Sequence, residues 1–265
     1  MSNEEKVKAL QVATQDLWLR SLRRVLLNGP PLSGKTTSLL TFPRPLHVIV
    51  CPGEQGASSI LPDADVLVSS WEFDASLATR ETASMLVAAV KERVVEIVRG
   101  DYGPSQTLAF DGIHWLYNLI MLSEGWTRKL MDDKAGGRQY AKYHDHFRQF
   151  FSRVLGSQVP VIVATCWDGK EAQEDNKDVF ENFPGLPGAM AKEILGIFPF
   201  TIYCKRSGTG AQTKYIWYLR PVGKIQGVGM HAPRAIAEKF PDQLAPDWKL
   251  VEQIVAQVLA ERGKA

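Results

Sequence analysis

Cysteine and long apolar runs are both scarce in this sequence. Three cysteines occur among 265 residues, they are widely spaced, and none forms a C-x-x-C pair, which argues against a disulfide framework and a zinc site. No run of about 18 uncharged apolar residues is present, so no membrane-spanning helix is expected. The first ten residues are polar and acidic, unlike a signal peptide. We therefore expect a cytoplasmic protein with no membrane association.

Acidic residues are absent from one long stretch of the chain. Between residues 194 and 237 there is no Asp or Glu, whereas six Lys and Arg residues occur there. The whole chain has 31 basic and 29 acidic residues, so the remainder has 25 basic against 29 acidic, a net charge of −4. The positive charge is therefore local, which is typical of a surface that binds an anionic partner.

Strand-like and helix-like segments alternate along the chain. Short apolar, often β-branched runs predict strands at 24–28, 47–51, 65–68, 107–110 and 159–165, and helical spacing predicts helices at 75–99, 113–124, 139–155 and 247–261. This alternation predicts an α/β fold with a mostly parallel central sheet flanked by helices. The runs 199–205 and 214–220 predict a late antiparallel β-hairpin, and 168–188 is expected to be a long irregular connection.

The chain length fits one domain with an addition at each end. Residues 1–22 are predicted to form an N-terminal amphipathic helix, because apolar residues recur there at roughly helical spacing. Residues 23–240 are predicted to form the core, and 241–265 to contain a C-terminal helix.

A glycine-containing loop follows the first predicted strand and opens a helix. It reads Gly29-Pro30-Pro31-Leu32-Ser33-Gly34-Lys35-Thr36 and matches the P-loop pattern G-x-x-x-x-G-K-[ST] in full. In such a loop the backbone N–H groups point at phosphate oxygens, the lysine reaches the β- and γ-phosphates, and the hydroxyl ligates Mg²⁺. The sequence therefore predicts ATP and Mg²⁺ as cofactors. The expected nucleotide-binding residues are Gly29, Pro30, Pro31, Ser33, Gly34, Lys35, Thr36 and Thr37.

A carboxylate follows the strand predicted at 107–110. Magnesium that bridges two phosphates also requires an acidic ligand from a neighbouring strand, and Asp111 ends this apolar run. We expect Asp111 and Thr36 to be the two protein ligands of the metal. A second role, capping the helix from residue 113, is compatible with the first.

Hydrolysis also requires a group that orients or deprotonates water. Residue 112 is glycine, so the Asp-Glu pair of many AAA-type ATPases is absent. Glu54 lies just after the strand predicted at 47–51, and the carboxyl ends of parallel strands share the edge where ligands bind. We therefore expect Glu54 and Lys35 to be catalytic. Thr165, at the end of the strand 159–165, is either a sensor of the γ-phosphate or an ordinary strand residue.

These motifs in this order resemble the RecA-superfamily core over about residues 22–225. Within it, the chain is similar to short phage-encoded RecA-like ATPases that act with single-strand annealing or replication proteins. The resemblance implies that Glu54 is the catalytic glutamate, Asp111 the Walker B aspartate, and Thr165 or Cys166 the sensor. The family usually has Gln or His at the sensor position, where this sequence has Thr165-Cys166-Trp167.

The resemblance also implies assembly into a homo-oligomer, either a ring or a filament. In such assemblies a basic residue of one subunit reaches the nucleotide of the next and stabilises charge in the transition state. Lys224 is the first candidate for this catalytic role and Arg220 the second, while the alternative for Lys224 is a solvated or phosphate-binding surface cation. The location implied is the host cytoplasm if the protein is phage-encoded, and a single-strand binding or annealing protein is the implied partner.

The predicted hairpin combines cations with aromatic residues, as single-stranded DNA-binding surfaces do. Lys205, Arg206 and Lys214 are the expected DNA-binding residues. The rings that accompany them are Tyr203, Tyr215, Trp217 and Tyr218. The alternative is that these rings belong to the core, because strands are naturally rich in aromatic residues.

Three functions remain open on the sequence alone. The first is an ATPase that acts on single-stranded DNA in recombination or replication. The second is a small-molecule or nucleotide kinase with a lid over 168–188, although that segment contains no Arg. The third is a nucleotide-gated binding module with little hydrolysis. DNA-stimulated turnover separates the first function from the other two.

Overall fold

A computed structural model describes residues 5, 17–60, 63–74, 78–125, 137–172, 180–187, 189–223, 225 and 227–262. The strands are β1 (Arg24–Gly29), β2 (Leu46–Val50), β3 (Val66–Ser69), β4 (Thr107–Asp111), β5 (Val161–Ala172), β6 (Phe180–Pro184), β7 (Phe200–Ser207), β8 (Lys214–Tyr218), β9 (Gly229–Met230) and β10 (Gln243–Leu244). The helices are α1 (Lys35–Leu39), α2 (Arg80–Arg99), α3 (Ile113–Ser123), α4 (Gly137–Leu155), α5 (Met190–Ile197), α6 (Arg234–Ala237) and α7 (Trp248–Arg262).

The central sheet has the order β10-β8-β7-β1-β5-β4-β2-β3. Strands β7, β1, β5, β4, β2 and β3 pair in parallel, whereas β8 and β10 add an antiparallel edge. Strand β5 lies between the P-loop strand β1 and the aspartate strand β4. The predicted fold class, α/β with a mostly parallel sheet and a late antiparallel hairpin, is therefore confirmed.

Both faces of the sheet are buried, because neighbouring residues of a strand point to opposite sides. In β1, Leu26 packs into one core and Val25 and Leu27 pack into the other. Helices α2 to α5 cover the first face, and α1, α6 and α7 cover the second. The C-terminal helix contributes the buried residues Trp248 and Val251 to the second core.

The predicted helices and parallel strands are confirmed with ends that move by at most five residues, except for β5, which ends at Ala172 instead of residue 165. Helix α2 begins at Arg80, later than predicted, where Thr79 caps it by accepting a hydrogen bond from the Thr82 backbone N–H. Of the predicted N-terminal helix, 17–22 is helical and buries Trp18 and Leu22, while 6–16 lies outside the described residues. Among the described residues, no helix is long and apolar enough to cross a membrane.

The prediction of an irregular connection at 168–188 is wrong. Strand β5 continues to Ala172 and pairs with β6 in an antiparallel ribbon in which Asp168 lies opposite Pro184. A Cβ atom on Gly185 would lie 2.8 Å from the Trp167 carbonyl oxygen, so the ribbon requires glycine at this close backbone approach. Charged residues and the Pro-Gly pairs interrupt the apolar alternation that would predict a strand here, and the backbone pairing of β5 with β6 shows the ribbon.

Candidate nucleotide site

The P-loop leaves the end of β1 and enters helix α1 through Gly34. Gly34 has a φ of 83°, a conformation that favours glycine. A Cβ atom there would lie 2.9 Å from Cδ1 of Tyr215, so the tyrosine ring rests directly on the loop. Gly29 approaches the Cys204 carbonyl oxygen of β7 so closely that any side chain would overlap it. The loop is therefore shaped by its own glycines and by the neighbouring hairpin.

Lys35 is buried against the loop that precedes it. Its Nζ donates hydrogen bonds to the carbonyl oxygens of Gly29 and Pro30, at 2.8 and 2.7 Å, and lies 3.4 Å from Oγ of Ser33. Burial lowers the pKa of Lys35 from its usual value. A buried ammonium group held by neutral carbonyls favours an anion as its ligand, as the sequence predicts.

Thr36, Asp111 and Thr165 form one hydrogen-bonded cluster across three elements. Oγ1 of Thr36 lies 3.1 and 2.9 Å from the two carboxylate oxygens of Asp111, and Oγ1 of Thr165 donates to Oδ1 of Asp111 at 2.6 Å. The Gly112 backbone N–H donates to Oγ1 of Thr165 at 2.8 Å. Burial raises the pKa of Asp111, against the opposing effects of both hydroxyl hydrogen bonds and the Lys35 charge.

The donor set of this cluster fits Mg²⁺. The Thr36 hydroxyl and the Asp111 carboxylate are hard oxygen ligands within hydrogen-bond distance of each other, and Mg²⁺ is usually held by one or two such protein ligands plus phosphate oxygens and water. A Cβ atom on Gly56 would lie 2.5 Å from Oδ2 of Asp111 and 2.8 Å from Oγ1 of Thr36. The short helical turn Gly56–Ser59 therefore closes tightly over these two ligands.

Glu54 occupies the space that a side chain at residue 112 would need. Gly112 has a φ of 83°, and a Cβ atom there would lie 2.7 Å from Oε2 of Glu54. Burial raises the pKa of Glu54, and the nearby Asp111 charge raises it further, while the Gln55 backbone N–H donates to Oε1 at 3.0 Å. A carboxylate with a raised pKa beside a phosphate site suits general-base chemistry.

Aromatic rings form another wall of the site. Trp167 lies within β5, two residues after Thr165, and is 37% exposed, and its ring centroid lies 4.5 Å from that of the buried His114. Burial, with a smaller effect of the Lys35 charge, lowers the pKa of His114 to about 4, so this imidazole is neutral at physiological pH. Trp115 packs on Gly53, whose Cβ position lies 2.8 Å from Cε3 of the indole ring.

The β7–β8 hairpin contributes two residues that the sequence did not associate with the nucleotide. Arg206 and Tyr215 are cross-strand partners, and both line the same cleft as the P-loop. Lys205 and Lys214 are exposed on the same hairpin, and Nζ of Lys205 lies 5.9 Å from the centre of the Tyr218 ring. Strand alternation places Arg206 and Lys205 on opposite faces, but the sequence does not indicate which of the two faces the P-loop.

Three of the four rings expected to stack on DNA belong to the interior. Trp217 is fully buried, and Tyr203 and Tyr218 are also buried, whereas Tyr215 is 43% exposed. Tyr203 is further fixed by its hydroxyl, which donates to Oδ2 of Asp168 at 2.9 Å. The alternative that these rings pack in the core holds for Tyr203, Trp217 and Tyr218.

The P-loop, Glu54, Asp111, Thr165 and the hairpin residues Arg206 and Tyr215 line one cleft of about 640 Å³. The lining residues are Pro31, Leu32, Ser33, Gly34, Lys35, Thr36, Thr37, Gly53, Glu54, Gln55, Gly56, Ser58, Ser59, Asp111, Trp115, Thr165, Trp167, Arg206 and Tyr215. Thus the cleft brings together the predicted phosphate, metal, base and sensor residues. Gly29 and Pro30 contribute through their carbonyl contacts with Lys35.

Of the two cations predicted to act in trans, the structure describes only Arg220. Lys224 lies outside the described residues. Arg220 donates to the carbonyl oxygens of Ala237 and Phe240, at 2.8 and 2.7 Å, and lies 3.5 Å from Oδ1 of Asp242. These contacts tie Arg220 to its own subunit, which makes it a poor candidate for a neighbour's nucleotide.

The parallel sheet and the P-loop cleft define this chain as a P-loop ATPase. Residues 21–224 match the family model described as the AAA domain, and the chain belongs to that family. Among solved structures, the flagellar accessory protein FlaH from Methanocaldococcus jannaschii is similar over 78% of this chain and 81% of that chain, at 13% identity and a TM-score of 0.37. A comparison with curated proteins gives no match.

Proposed function

We propose that this ATPase couples Mg²⁺-dependent ATP hydrolysis to single-stranded DNA in phage-type recombination or replication. Its proposed setting is the cytoplasm of the host cell. We propose assembly into a homo-oligomer, with Lys224 acting on the nucleotide of a neighbouring subunit, and a single-strand binding or annealing protein as a partner.

The observation that carries this proposal is the shared position of the hairpin and the hydrolytic groups. The hairpin that presents Lys205 and Lys214 also lines the ATP cleft through Arg206 and Tyr215. Anionic DNA bound to the exposed lysines would therefore contact the element that rests on the P-loop. This arrangement supports stimulation of hydrolysis by DNA.

The proposed roles in hydrolysis follow from the charges in the cleft. Lys35 binds the phosphates, and Thr36 and Asp111 hold Mg²⁺, which supplies charge stabilisation for the transferring phosphoryl group. Glu54 accepts a proton from the attacking water or orients it. Thr165 holds the Asp111 carboxylate through its hydroxyl, and its position at the cleft also supports the sensor role.

The test is ATP hydrolysis by the purified full chain, with and without single-stranded DNA. We expect DNA to raise turnover in the unmodified protein. Lys35→Ala should abolish both nucleotide binding and hydrolysis, whereas Glu54→Gln should retain binding and lose about 10²-fold or more in turnover. Glu92→Gln, on the exposed side of α2, is the matched control for loss of a carboxylate.

Either of two results would contradict the proposal. Turnover that is indifferent to DNA would favour the kinase or the binding module over a DNA-dependent ATPase. Hydrolysis that survives in Glu54→Gln would remove Glu54 as the catalytic carboxylate.

A further inference from the structure

Arg206 is placed at an anion site without a counter-charge of its own. Within the described part of the chain, it forms no ion pair, whereas Arg148, Arg220 and Arg234 each lie within 4 Å of an acidic side chain. The absence of acidic residues from 194–237 leaves no local carboxylate to neutralise it. An unpaired guanidinium beside a phosphate site is suited to bidentate contact with phosphate oxygens.

Arg206 changes the net charge of the cleft. The charged side chains that line the described cleft are Lys35, Glu54, Asp111 and Arg206. With Lys35 at +1 and the two carboxylates at −1 each, the cleft has a net charge of −1 without Arg206 and of zero with it. Arg206 adds one positive charge to the cleft, beside the charge that bound Mg²⁺ would supply, and so strengthens its attraction for a polyanion.

Tyr215 fixes the position from which Arg206 acts. The two residues are directly opposite each other on β7 and β8, and the Tyr215 ring rests on the P-loop at Gly34. A side chain at residue 34 would displace this ring. The ring therefore sets the distance between the hairpin and the loop, and with it the reach of Arg206.

We propose that Arg206 binds a phosphate group of the nucleotide in the same subunit, and that Tyr215 positions it by packing on Gly34. This assigns to nucleotide binding a residue that the sequence predicts as a DNA contact. It deepens the proposed function, since it rests on ATP as the ligand of the cleft, but it does not require DNA.

The experiment measures the Kd of a fluorescent ATP analogue and of the matching ADP analogue, with Mg²⁺ and without DNA. Arg206→Ala should raise the Kd for ATP about tenfold to a hundredfold, as expected for loss of a charge-assisted hydrogen bond. Arg206→Lys should recover part of this loss. Lys91→Ala, an exposed cation on α2, controls for lost positive charge. A loss for ATP alone identifies the γ-phosphate, and a loss for both nucleotides identifies the α- or β-phosphate.

The positioning role of Tyr215 needs its own readout. Tyr215→Ala should raise the Kd for ATP, whereas Tyr215→Phe, which keeps the ring, should not. In Arg206→Ala the further change Tyr215→Ala should have little additional effect, because the tyrosine acts through the arginine. Additive losses would mean that Tyr215 acts independently of Arg206.

Two outcomes would overturn the proposal for Arg206. One is an ATP Kd that is unchanged in Arg206→Ala while circular dichroism shows an intact fold. The other is loss of single-stranded DNA binding by Arg206→Ala, measured without nucleotide, with no loss of ATP affinity. Neither outcome bears on the proposed function. The Kd of the nucleotide is measured without DNA, whereas the proposed function is tested by DNA-stimulated hydrolysis and by Glu54→Gln.

Discussion

The two sides of the ATP cleft differ in how their polar groups are held. On the metal side, Thr36, Asp111 and Thr165 are joined by short hydrogen bonds between strand ends and a helix start, and Asp111 is only 1% exposed. On the hairpin side, Arg206 is exposed and has no acidic partner among the described residues. The metal side is thus held by side-chain hydrogen bonds, whereas on the hairpin side the Tyr215 ring packs on Gly34 and the Arg206 side chain is left exposed for a ligand.

The largest effect is expected on the metal side. Asp111→Asn removes the negative charge that would hold Mg²⁺, so we expect a loss of about 10²-fold or more in kcat/KM for ATP. Raising the Mg²⁺ concentration should recover part of the activity. Asp101→Asn, at an exposed turn, is the control. If Asp111→Asn remained fully active at low Mg²⁺, the hydrogen-bonded side of the cleft would not be the metal site.

The next largest loss of turnover is expected at Gly112, where Glu54 packs against the backbone. Gly112→Ala would place Cβ 2.7 Å from Oε2 of Glu54, and should lower turnover about tenfold or more by displacing the carboxylate. Gly103 is a matched control because its φ of 87° is similar but no atom lies within 4 Å of its Cβ position. Both alanine variants carry left-handed strain of about 1–2 kcal/mol, so a difference in turnover between them reports the displacement of Glu54. Equal turnover in the two variants would contradict a catalytic Glu54.

A smaller effect is expected for the hydroxyl that supports Asp111. Thr165→Val keeps the shape of the side chain but leaves Oδ1 of Asp111 and the Gly112 backbone N–H without this buried partner. We expect a loss of about 1–3 kcal/mol in the free energy of unfolding, together with a higher Mg²⁺ requirement. Chemical denaturation measures the first quantity, and Thr165→Ser should preserve both. A valine variant as stable as the unmodified protein would mean that the cluster is not a rigid unit.

The smallest effect is a pH dependence in the ligand-free protein. Because burial raises the pKa of Glu54 in the folded state, the folded state binds its proton more tightly than the unfolded state does. This contribution to stability is fully present below the ordinary glutamate pKa of 4.5 and is lost as the pH rises through the raised value. Relative to Glu54→Gln, the unmodified protein should therefore become more stable on acidification. The measurement is the free energy of unfolding of both proteins as a function of pH. If it changed with pH by the same amount in both, the pKa of Glu54 would not be raised in the folded state.

The chain pattern was sufficient to predict which residues meet at the P-loop edge of the sheet. Lys35, Thr36 and Asp111 follow apolar strands, and Glu54 also follows one, so the rule that parallel strands end at one edge places all of them together. The prediction that Thr165 lies at this edge is also correct, but its hydrogen bond to Asp111 depends on the pairing of β5 next to β4. The order of strands in a sheet depends on long-range contacts, so local residue periodicity does not predict it.

The arrangement of residues on the hairpin side, in contrast, could not be predicted from the sequence. The sequence predicts a cationic, aromatic hairpin, and β7 and β8 form it. It does not predict that Tyr203, Trp217 and Tyr218 are buried, nor that Arg206 faces the P-loop, because the twist and tilt of an antiparallel edge depend on what it packs against. The β5–β6 ribbon was missed for a related reason, since its two strands are defined by mutual backbone pairing.

The amino-acid sequence by itself therefore determined the phosphate loop, the ends of the parallel strands and the chemical groups available there, since these follow from local residue patterns. Only the tertiary structure decided that Glu54 fills the space above Gly112, that Thr165 binds Asp111, and that Arg206 joins the nucleotide cleft. Each of these contacts joins residues more than 50 positions apart along the chain. Packing of the whole sheet, rather than any local preference, brings such residues within a few ångströms of one another.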